Sequence, residues 1–138
     1  MTIPALQDSN FSITVQLPNT PHSEATDKVK EALSKEGFGI LTEVDVQATM
    51  KNKLGVDERE YTILGACNPQ LAHQVLSQLP SVGVLLPCSV VIAADDNNGS
   101  SVAIIDPVSM FKMVGDAHFT ALADEARVML KRALNSLL

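Results

Sequence analysis

Tyr61-Thr62-Ile63-Leu64-Gly65-Ala66-Cys67-Asn68-Pro69 is the stretch on which the reading of this chain turns. A β-type apolar run ends there on a cysteine, and a helix begins. Asn68 is a good N-cap, and Pro69 fits the first helical position, where its missing N–H costs nothing. Leu71, Ala72, Val75, Leu76 and Leu79 then recur at helical spacing. Cys67 therefore precedes a helix N-terminus. The partial positive charge of that terminus favours a thiolate if the sulfur points at the free N–H groups.

Upstream, Phe11, Ile13, Val15 and Leu17 alternate with polar residues, which predicts a half-buried strand over about 10–17. Thr20-Pro21 opens a helix that carries Ala25, Val29, Ala32 and Leu33 inward and ends at Gly37. In the next strand Phe38, Ile40, Thr42, Val44 and Val46 share one face, with Glu43 and Asp45 together on the other. A short helix from Gln47 stops at Gly55. Downstream, Val84 to Ala94 is apolar on both faces and reads as a buried strand, although Pro87 argues against a continuous central one. Asp95-Asp96-Asn97-Asn98-Gly99 signals a hairpin returning as Ser100 to Ile105. Asp106-Pro107 repeats the cap-plus-proline pattern. The last helix is apolar at spacings of three and four from Phe119 to Leu137.

This order predicts an α+β fold of two layers: a mainly antiparallel sheet of about five to six strands with helices packed on one face. At 138 residues and 46% hydrophobic, the chain is long enough for one core and too short for two ordinary domains. One domain spanning 1–138 is expected. The 16 acidic against 10 basic residues, with 4% aromatics, argue against a nucleic-acid surface and against an anionic membrane. No apolar run is long enough for a bilayer, and Met1-Thr2-Ile3-Pro4 lacks the basic and apolar regions of a secretory signal. A cytoplasmic protein is expected, with its two cysteines as free thiols.

Four motifs stand in order along the chain: 37–46, Leu64 to Pro69, Leu85-Leu86-Pro87-Cys88, and Asp106-Pro107. Together they resemble the bacterial and archaeal family called domain of unknown function 302, from about Thr14 onward. The resemblance implies a compact α+β fold and a homodimer, and it carries no established reaction. Ser89 stands where the family pattern has Asn.

The candidate site is Cys67 and Cys88, two thiols that could face one cleft and bind a small ligand, a soft metal or a sulfur species. Asn68, Ser89 and Tyr61 are candidate ligand contacts beside them. Packing is the ordinary role of either thiol alone, because free cysteine is among the most buried residue types. Glu43 and Asp45 could form an acid/base pair or hold a hard cation, whereas a solvated sheet face is their ordinary explanation. A closed zinc site is not indicated, since no Cys-x-x-Cys unit occurs. The cofactor is left unassigned. Three readings stay open: a binding module, a thiol enzyme with Cys67 as nucleophile assisted by Glu43, His73 or Tyr61, and a structural or partner-binding dimer. The dimer is expected to use apolar surface from the sheet, the final helix, or both.

Overall fold

The computed structural model describes residues 5–138. Met1-Thr2-Ile3-Pro4, on which the expectation of an unsecreted chain rests, lies outside the described residues. The strands are β1 (Ser12–Leu17), β2 (Gly39–Asp45), β3 (Tyr61–Cys67), β4 (Cys88–Ala94) and β5 (Ser100–Ile105). The helices are α1 (His22–Lys35), α2 (Val46–Leu54), α3 (Pro69–Gln78), α4 (Pro107–Lys112) and α5 (Thr120–Asn135). The strands form one five-stranded sheet in the order β1-β5-β4-β3-β2, every neighbour antiparallel. The fold is α+β, and β3 and β4 lie at its interior.

Alternation along the central strands sets the two faces. Leu64, Ala66, Val90, Ile92, Val102 and Ile104 are buried and form the core with Val29 and Leu33 of α1 and Leu130, Ala133 and Leu134 of α5. Those helices thus cover one face. The residues between them point the other way: Ile63 opposite Val91 and Val44, and Ala103 opposite Val91 and Thr14. This second face carries no covering helix across its centre. Near β1 and β5 it meets the incoming chain, where the Leu6 N–H donates to Ser101 Oγ and Gln16 Nε2 donates to the Leu6 carbonyl.

Two expectations are corrected. The strand read over Val84 to Ala94, with Pro87 arguing against its continuity, is a 3-10 turn over Pro80–Leu85 followed by β4 from Cys88. Pro87 has no N–H for the ladder, so pairing starts after it, and Val84 is 88% exposed. In β2 the shared face expected for Ile40, Thr42 and Val44 is broken by a bulge. Ile40 pairs with Ala66 and Thr42 with Gly65, so Leu41 is an extra residue and the alternation inverts across it. Ile40 faces the helices, while Thr42 and Val44 face the open side. Glu43 and Asp45 consequently lie on the helix side of an exposed edge strand.

The open face is also where backbone meets side chain most closely. Pro87 follows a cis peptide bond and its ring lies over Gly65, so that a Cβ at Gly65 would stand 2.6 Å from Pro87 Cγ and closer still to Thr42 Oγ1. Only glycine leaves that room. Gly65→Ala is expected to lower stability by about 1–3 kcal/mol through overpacking, read from the urea midpoint; an unchanged midpoint would mean that Thr42 and Pro87 move aside.

Candidate functional site

The end of β3 and the start of β4 bring the two thiols together. Cys67 is the last residue of β3 and Cys88 the first of β4, where it pairs with Ala66. Both are unbridged, and both line one small cavity of about 50 Å³ between the sheet end, α3, α4 and α5. Leu71, Ala72 and Val75 of α3, Pro107, Met110 and Phe111 of α4, and Leu122 and Ala126 of α5 complete its walls with Phe38, Leu86 and Pro87.

Local sequence explains each wall. The Leu71 N–H donates to Asn68 Oδ1 at 3.3 Å, and Pro69 occupies the first turn of α3. Asn68 thus acts as the expected cap. Its remaining amide group lies 3.7 Å from Met129 Sδ of α5, which ties the start of α3 to the last helix. Asp106 caps α4 by accepting from the Val108 N–H at 3.0 Å, and Arg127 Nε donates to its other oxygen at 3.1 Å. That pair anchors α4 to α5, so Met110 and Phe111 are held over Cys88.

The electrostatics run against the thiolate expectation. Burial raises the Cys67 thiol above its ordinary value. Cys88 is pushed up to about 11, first by burial and then by the proximity of Cys67 charge. Near neutral pH both sulfurs are protonated, because desolvation outweighs the helix terminus. The same burial works against the thiolate that a Cys67 nucleophile needs. The proposed assistants are also elsewhere: His73 is exposed on α3, and Glu43 Oε1 pairs with Lys30 Nζ at 3.0 Å.

The other candidates separate from the thiols. Tyr61 lies at the opposite end of β3, roughly 20 Å from Cys67 at strand rise, with Arg59 stacked 5.7 Å from its ring centroid. Ser89 points away from Cys88 onto the open face, where it and Tyr61 border the same groove. The Ser-for-Asn departure therefore falls outside the thiol cavity. Asp45 is the N-cap of α2, accepting from the Ala48 N–H at 3.0 Å. Glu43 and Asp45 are thus engaged in an ion pair and a cap, not in a shared site.

Sequence reasoning did not place α4 at the thiols. Asp106-Pro107 marked its start, but apolar periodicity alone does not say which cavity a short helix closes. It also missed His22, whose Nε2 hydrogen-bonds with Thr62 Oγ1 at 3.0 Å while Nδ1 lies 3.5 Å from Glu60 Oε2. That contact fastens the start of α1 to β3. Among the described residues, no group of three or more His, Cys, Asp or Glu side chains is placed to hold a metal ion, and no helix is long and apolar enough to cross a membrane.

Comparison with known proteins agrees with this architecture. The model of the family "Domain of unknown function DUF302" matches residues 13–137. This chain belongs to that family. A crystal structure of an uncharacterized conserved protein DUF302 from Bacillus stearothermophilus is 29% identical and superposes with a TM-score of 0.85, covering 94% of this chain and 100% of that one. No curated protein matches the chain.

The two thiols should titrate differently. Cys67 is expected to alkylate first at neutral pH, because it is the more accessible sulfur. Cys88 reactivity should keep rising between pH 9 and about 11, since its thiolate fraction grows until the pH passes its raised pKa. Iodoacetamide labelling read by peptide mass spectrometry checks both. A Cys88 rate that levels off near pH 9 would place the sulfur in solvent.

Proposed function

We propose that this protein is a homodimeric binding module that holds a small ligand in the cavity where Cys67 and Cys88 meet. One observation carries the reading: two thiols from neighbouring strands converge on an apolar cavity closed by helices that are fastened by specific caps and an ion pair. Concave, largely apolar sites with a few placed polar groups are the usual form of small-ligand pockets. Native mass spectrometry of the protein as purified tests it. A mass above that of the bare chain is expected, lost in an Ala72→Phe variant whose ring fills the cavity. Bare chain in both would end the reading.

The dimer half of the proposal rests on the open sheet face. Thr42, Val44, Ile63, Val91 and Ala103 present apolar or uncharged groups there. In a chain of net charge −6, a stretch of strand positions bearing no acidic or basic side chain is where two copies meet at least electrostatic cost. The final helix offers less, because its core-facing apolar positions already pack inward and Val128 stands apart as an exposed residue. Light scattering should give a mass near twice 14.7 kDa. Val91→Glu should return it to one chain without unfolding, since the side chain stands on the uncovered face. A wild type that stays at one chain's mass, or a Val91→Glu protein that stays dimeric, would remove this face as the interface.

A further inference from the structure

The cavity itself narrows what kind of ligand can enter it. Its walls hold no Asp, Glu, Lys, Arg or His side chain. The sole amide on the wall, Asn68, accepts from the Leu71 N–H through its oxygen and directs one N–H at Met129 sulfur. The nearest ion pair, Asp106 with Arg127, is closed on itself. No acidic or basic side chain of the wall is therefore available to an ion, and moving an unpaired charge out of water into an apolar site costs many kcal/mol. Several polarisable groups do meet there: two thiols, the Met110 thioether and the Phe111 ring. Such groups attract by dispersion and by weak sulfur contacts. The size is also limiting. At about 50 Å³ the space is near a third of the roughly 150 Å³ apolar cavity that accepts benzene or xenon, so it suits a ligand of a few heavy atoms.

We infer that the Cys67–Cys88 cavity selects an uncharged, polarisable ligand of a few heavy atoms over monovalent ions of similar size. The inference rests on the proposed binding function and adds the ligand's chemical class. The sulfurs act here as soft, uncharged wall atoms. They need not react.

Xenon, iodide and caesium are isoelectronic and differ chiefly in charge, so they isolate this property. The full chain, labelled at methionine and alanine methyls, is titrated with xenon, with sodium iodide and with caesium chloride while NMR follows Met110, Ala72 and Ala126. Xenon is expected to shift these methyls saturably. Iodide and caesium are expected to leave them at the positions found in sodium chloride of equal ionic strength. Ala72→Phe, which fills the cavity from α3, should abolish the xenon shift, and Cys67→Ser should keep it. Saturable shifts with iodide or caesium comparable to those with xenon would overturn the inference while leaving a binding cavity in place. No response to any of the three would overturn both the inference and the binding function.

Discussion

The contact between the Pro87 ring and the Gly65 backbone is the constraint on which the centre of this molecule depends. It sets how closely the segment entering β4 approaches β3, and therefore where Cys88 begins its pairing with Ala66. The ladder then carries Val90 and Ile92 into the core beside Leu64. From that register follow the burial of one face, the exposure of the other, and the meeting of two cysteines that are far apart in sequence. Gly65 and Pro87 thus act as a pair: one provides the space and the other occupies it.

Around that pair the chain uses one grammatical unit repeatedly. Asn68-Pro69 and Asp106-Pro107 each end a strand and start a helix, with the side chain accepting a backbone N–H and the proline filling a position that needs none. The two helices started in this way flank the same cavity. Each cap is in turn held by α5, Asn68 through Met129 and Asp106 through Arg127. The last helix therefore closes the core and also fixes the angle of the cavity walls. The direction of the thiol pKa values follows from the same closure, because walls that exclude water penalise the charged form of either sulfur.

Much of the fold was legible because its signals were local. β3 and the start of α3 could be read to the residue from Asn68-Pro69, and the hairpin from Asp95 to Gly99. The candidate site was legible only in part. The convergence of Cys67 and Cys88 is long-range, and their motifs marked them without showing the distance. Strand parity misled at β2, where Leu41 forms a bulge that no composition or period announces. Asp45 ends β2 and caps α2 at once, and strand alternation alone assigns it to the sheet face because Val46, the first helical residue, also continues the strand pattern. Ser89 and Tyr61 seemed close to the thiols in sequence, yet pleating sends Ser89 to the opposite face and strand length carries Tyr61 away.

The bulge at Leu41 also bears on how the sheet ends. β2 is an outermost strand, and an outermost strand with evenly spaced free N–H and C=O groups is a template for another chain. The extra residue breaks that spacing in mid-strand, while Glu43 and Asp45 set two carboxylates beyond it. A foreign strand arriving at this border could match the ladder on one side of Leu41 and would lose step on the other. The irregularity that defeats simple alternation thereby keeps the sheet finite at this edge, protecting the molecule from open-ended fibre growth.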